Sequence, residues 1–107
     1  MPFEIVLLPQ VASDLRRLSA YERAKVRDAI EAHLRHLPTK TSKSRIKRLR
    51  ELTHPQYRLR VGDLRVFYDV KGEEVQVLAI VAKVDAVEWL EQVGQGDEDS
   101  SALGSEG

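Results

Sequence analysis

At 107 residues the chain has room for one hydrophobic core and not for two. It contains no cysteine, which excludes a disulfide framework, a thiolate nucleophile and a cysteine-ligated zinc, and fits a reducing cytoplasm. Its 17 Lys and Arg balance 17 Asp and Glu, but four of the acids (Asp97, Glu98, Asp99 and Glu106) fall in the last dozen residues, leaving residues 1–95 at about +4.

The opening MPFEIVLLPQ has no basic leader, and no later apolar stretch approaches the roughly 18 residues needed to span a bilayer. The chain is therefore expected to be neither secreted by a visible signal nor embedded in a membrane. Phe3 to Leu8 is short, apolar and rich in β-favouring residues, and Pro9 ends it, which predicts a first strand. Pro9 then suits the first turn of a helix whose apolar stripe is Val11, Leu15 and Leu18. Ser19 and Glu22 form a capping-box pair that opens a second helix, with Val26, Ile30, Leu34 and Leu37 on one face, and Pro38 prevents its continuation. Thr39 to Ser44 reads as turn. Arg45 to Leu52 has too few apolar residues for a strand or a long helix, and is expected to be loop or a single helical turn.

From Gln56 the apolar period changes to two. Tyr57, Leu59 and Val61 alternate with Arg58 and Arg60, Gly62-Asp63 supplies a tight turn, and Leu64, Val66 and Tyr68 alternate with Arg65, Phe67 and Asp69. A hairpin is predicted. Lys71-Gly72-Glu73 makes a second turn, and Val75 to Ala82 is apolar on both faces, as a central strand would be. Asp85 to Val93 predicts a last amphipathic helix ending near Gly94. Residues 1–95 thus form the expected domain, and 96–107 an acidic, disordered tail.

Alternation in both arms of the hairpin puts Arg58, Arg60 and Arg65 on one sheet face, opposite the apolar set. Three guanidiniums so placed can engage phosphates bidentately; the competing reading is that they merely keep a half-exposed sheet soluble. Lys40 to Arg50, with Lys43, Arg45, Lys47, Arg48 and Arg50, either extends an electrostatic track along a nucleic-acid backbone or is a solvated charged segment. His33 and His36 are three apart, but lack an obvious third ligand, and a helix C-terminus accounts for them. No metal and no other cofactor is expected. His54, just before Pro55, is the only imidazole near the arginine strand and a candidate base.

The order strand, helix, helix, strand, strand, strand, helix resembles the RelE/ParE toxin superfamily over nearly the whole ordered chain. The resemblance is carried by YRLRVGDLRVFYDV, Tyr57 to Val70, which is similar to the family's hairpin signature. Ala12, Leu15 and Leu18 in the first helix and the basic Ile46 to Leu52 segment support it. It implies an α+β fold of β-α-α-β-β-β-α order: an N-terminal helical hairpin packed on a largely antiparallel four-stranded sheet, with a C-terminal helix.

The resemblance also implies a function. RelE-type members of the family cut mRNA in the ribosomal decoding site without a metal, the ribose 2′-hydroxyl attacking the neighbouring phosphate. By the resemblance Arg65 falls on the central phosphate-binding arginine, Arg58 and Arg60 on two basic strand positions that are lysines in the best-known cutters, and Lys83 on the basic residue that ends the last strand. An arginine at position 60 is a poor literal base, and the aromatic that stacks on the substrate base is represented only by Trp89, which otherwise suits the core. The expectation is a type II toxin that cuts ribosome-bound mRNA and inhibits translation. The alternative is a ParE-like inhibitor of DNA gyrase or a member that has lost cutting activity. The implied partners are mRNA on the ribosome and a cognate antitoxin, in a toxin–antitoxin hetero-oligomer.

Overall fold

A computed structural model describes residues 1–96. The expected acidic tail therefore lies outside the described residues except for its first position. Strand β1, Glu4–Leu7, runs into helix α1, Pro9–Arg16, with Pro9 in the first turn, where its missing N–H costs nothing. Val11 is buried, with Leu15 and Leu18 packed against the same core. At Ser19 the capping box forms in full: Glu22 N donates to Ser19 Oγ at 3.1 Å and Ser19 N to Glu22 Oε1 at 3.0 Å. Helix α2, Ala20–Ala29, follows and widens into a π turn over Ile30–Leu34.

Val26, Ile30 and Leu34 are buried as their spacing predicts. Leu37 is not; it is exposed, because the helix has ended before it. Pro38 is buried in its stead, and its carbonyl accepts the Tyr68 hydroxyl at 2.6 Å. Both the capping and the stop were legible, whereas the stripe was read one turn too far.

Strand β2, Ile46–Arg48, and strand β3, Leu52–His54, occupy the stretch expected to be loop or helical turn. The physical reason lies in Arg48, which reads as polar yet sits on the apolar face: its guanidinium lies 5.2 Å from the Tyr57 ring and donates to Leu49 O and Gln56 O. With Ile46 buried ahead of it, the period of two is present but disguised by an arginine that packs.

Strands β4, Tyr57–Val61, and β5, Leu64–Lys71, form the predicted hairpin, and β6, Glu74–Ala82, the next arm. Gly62 and Gly72 sit at φ 58° and 62°, open to glycine and strained for other residues, which is what two two-residue loops demand. The main sheet has five strands rather than the expected four, in the order β1-β6-β5-β4-β2, antiparallel except where β1 runs parallel to β6. β6 is interior as expected, between β1 and β5, although β5 is the middle strand. After the last sheet strand comes helix α3, Ala86–Val93, and then β7, Gln95–Gly96, which pairs with β3.

The helical hairpin covers the face formed by Leu59, Val61, Leu64, Val66, Tyr68, Val75 and Val77, all buried. Tyr57 stacks on Tyr68 there, with centroids 5.4 Å apart. Among the described residues no helix is long and apolar enough to cross a membrane.

Candidate functional site

The opposite face of the sheet carries the arginines. In the antiparallel register Arg60 lies directly across from Arg65, and Arg58 across from Phe67, so side chains within each pair point to the same side. Lys47 of β2 is in turn opposite Arg58, and Val81 and Ala79 of β6 are opposite Arg65 and Phe67. A row Lys47, Arg58, Phe67, Ala79 thus crosses the sheet beside a row Arg60, Arg65, Val81.

The three guanidiniums differ in surroundings. Arg65 is only 7% exposed, and its Nη1 donates to Gly62 O and Leu64 O, both at 2.9 Å, which fixes its head at the turn. Arg58 is half-buried, and its Nε is buried with no protein partner. Desolvation, then repulsion from Arg65 and Arg60, pull its guanidinium below the usual arginine range. Arg60 is exposed, and its backbone N donates to Arg45 O at 2.8 Å. Among the described residues none of the three makes an ion pair; the pairs that form are Arg17 with Asp14, Arg35 with Glu31 and His54 with Asp69. Cations concentrated without ion-pair partners make a surface that an anion would relieve.

The remaining expected residues divide. Arg45 and Arg60 line one groove of about 330 Å³ with Ser44 and Gly62. Lys47, Arg48 and Arg50 line another of about 430 Å³ together with Leu90 of α3. Arg48 is held against Tyr57, on the side away from Arg58. Lys43 is exposed in the loop before β2. Lys83 is exposed at the end of β6, where its backbone N donates to Asp63 O at 2.7 Å, so it stands at the Gly62 end of the arginine face.

Helix α3 crosses this face. Trp89 stacks on Phe67, with centroids 4.7 Å apart and planes 17° from parallel, so Phe67 is buried between the sheet and the helix. Trp89 serves here as packing for α3, and the aromatic in the middle of the arginine rows is Phe67.

Two groups escaped the sequence reading. Asp14, on the buried side of α1 and 3% exposed, accepts from Gln10, Arg17 and, at 2.9 Å, the backbone N of Ile80. Asp69, 6% exposed, accepts from Gln56 N and lies 2.7 Å from His54 Nδ1. For the second the signal was available, since Asp69 alternates with Arg65 and Phe67 and therefore shares their face. His33, half-buried on the helical side, has its pKa lowered by desolvation and then by Arg45.

Comparison with known proteins finds relatives of this fold. A family model described as the ParE toxin of the type II toxin-antitoxin system parDE matches residues 5–83. None of the curated proteins matches the chain. Among solved structures, the RelBE2 toxin–antitoxin complex of Mycobacterium tuberculosis contains a chain 20% identical, with a TM-score of 0.66, covering 77% of this chain and 99% of that one. A chain of the RelB–RelE complex of Methanococcus jannaschii is 19% identical with a TM-score of 0.61, covering 78% and 96%. One of the RelE–RelB complex of Pyrococcus horikoshii OT3 is 24% identical with a TM-score of 0.59, covering 78% and 97%. At these identities the likeness is one of fold.

Proposed function

Because this chain belongs to the ParE toxin family of type II toxin–antitoxin systems, we propose that it is a toxin that arrests translation by cutting mRNA on the ribosome, without a metal. The observation that carries this reading is the register of β4 and β5, which aligns Arg58, Arg60 and Arg65 on one face, none of them in an ion pair among the described residues. Guanidiniums in that arrangement suit the phosphate on which charge accumulates during attack by a ribose hydroxyl. In this reading Arg65, its Nη1 fixed at the turn, is the positioned cation, Arg58 and Arg60 bind the phosphate and its neighbour, and Lys83 neutralises the departing oxygen. Lys43, Arg45, Lys47 and Arg50 guide the RNA backbone toward them, whereas Arg48, held against Tyr57 on the other side of the sheet, takes no part.

The structural relatives were solved bound to antitoxins, and a cognate antitoxin is the expected partner here. It would shield the arginines with complementary acid groups and bury apolar surface around α3. A second reading, binding to DNA gyrase without RNA cleavage, is favoured by the match to a ParE model and by arginine at position 60, which cannot serve as a base.

In vitro translation with primer extension separates the two. Breaks within ribosome-bound codons support cleavage; intact mRNA with inhibited supercoiling supports gyrase binding. In cells lacking the antitoxin, Arg65→Ala is expected to relieve growth arrest, and a folded Arg65→Ala protein of full toxicity would remove the arginine face from the mechanism.

A further inference from the structure

Cleavage by a ribose hydroxyl needs a proton acceptor, and the arginines and lysines of this face cannot act as one. A guanidinium is not deprotonated in proteins, and a lysine ammonium has donors only. An acceptor does lie on the same face. Asp69 is two pleats along β5 from Arg65 on the same side, and His54 approaches it from β3. Both carboxylate oxygens of Asp69 are engaged, Oδ1 by Gln56 N at 2.7 Å and Oδ2 by His54 Nδ1 at 2.7 Å. In the tautomer whose Nδ1–H donates to this carboxylate, the lone pair is on Nε2. The Asp69 side chain is 8% exposed and that of His54 is 55% exposed, so the anchor is buried and the imidazole is reachable from solvent.

Position along the sheet is also suitable. Gln56, whose N–H the same carboxylate holds, is one pleat from Arg58, about 7 Å at strand rise, and Arg58 carries the buried Nε with no protein partner. Arg58 and the oriented imidazole therefore lie toward the same end of β4.

We infer that His54 is the catalytic base of this toxin, taking the proton of a ribose 2′-hydroxyl on RNA bound at Arg58, and that Asp69 is its positioning residue. The inference rests on the cleavage reading above. Nε2 accepts the 2′ proton as O2′ bonds to the neighbouring phosphorus; the bond from phosphorus to O5′ breaks, and O5′ takes a proton from water. The products are a 2′,3′-cyclic phosphate and a 5′-hydroxyl, and the imidazolium returns its proton to solvent.

The test is single-turnover cleavage of mRNA on programmed ribosomes by the full chain, by His54→Ala, by Asp69→Asn and by the double variant, each with and without free imidazole. His54→Ala is expected to cut about 10²-fold more slowly or worse and to recover part of the rate with imidazole, whereas Arg65→Ala gains nothing from it. Asp69→Asn is expected to be slow, and the double variant no slower than His54→Ala, because the carboxylate acts through the imidazole. Should His54→Ala fail to fold by circular dichroism, His54→Gln, whose amide can still reach Asp69, takes its place. A folded His54 variant that cuts at the wild-type rate, or one that is slow and indifferent to imidazole, overturns the base while leaving the cleavage reading standing. A wild-type chain that leaves ribosomal mRNA intact overturns both.

Discussion

Arg58 and Arg60 are one pleat apart on β4 and face the same side, yet their energetics differ. Arg58 is half-buried beside two like charges, with a buried Nε lacking a protein partner, so its charge is held at a cost that a bound anion would offset. Arg60 is exposed, and contributes chiefly attraction at a distance. If it meets one phosphate, Arg60→Ala should lower the slope of log affinity against log salt by about one without altering the melting temperature, as RNA titrations across a salt series would show. Histidine chemistry gives a second expectation. Burial and Arg45 lower the His33 pKa in the folded chain, so the unfolded chain binds more protons as pH falls. The stability this provides is complete above about pH 6.5, the ordinary histidine value, and is lost below it. Thermal melts between pH 7.5 and 5.5 should therefore fall more for the wild type than for His33→Gln.

Helix α3 is the element that lies across the arginine face. Its expected bounds and its C-terminal glycine correspond closely to those observed, Ala86–Val93 followed by Gly94. What it packs on was not legible, because an amphipathic stripe specifies that a helix docks but not on which side of a sheet. Trp89 on Phe67 supplies much of the docking, while Val84 and Val87, around the start of the helix, remain exposed. Trp89→Ala should cost about 2 kcal/mol in urea unfolding, less than a fully buried tryptophan would, and by uncovering Phe67 it should tighten salt-sensitive binding of single-stranded RNA; an unchanged affinity would show that α3 does not compete for this face. β2 presents the opposite case. Its alternation exists in the residues, but Arg48 occupies the apolar side through its contact with Tyr57, and a hydropathy pattern cannot register an arginine that packs.

At the scale of the whole molecule, the sheet is covered by the α1–α2 hairpin on one face and crossed by α3 on the other. Asp14 joins regions distant in sequence: its carboxylate receives Ile80 N where β1 no longer pairs with β6, since that pairing ends at Leu7 and Val77. A side chain from α1 therefore completes a backbone that would otherwise be an unpaired edge. Asp14→Ala should destabilise by about 2 kcal/mol, the range for a buried, charge-assisted hydrogen bond left open, measured as a lower urea midpoint.

The alternation of Tyr57 to Asp69, the turns at Gly62 and Gly72 and the cap at Ser19 were decided locally, because strand period, positive φ and an N-cap each depend on neighbours along the chain. So were the helical hairpin and the common side of Arg58, Arg60 and Arg65. Only the tertiary structure decided that α3 lies across the arginines, that Arg65 is secured at its turn, and that Asp69 holds His54. The first and third depend on contacts between segments distant in sequence and the second on the carbonyls that the arginine head meets at its own turn, and amino-acid periodicity records which way a side chain points, not what it meets.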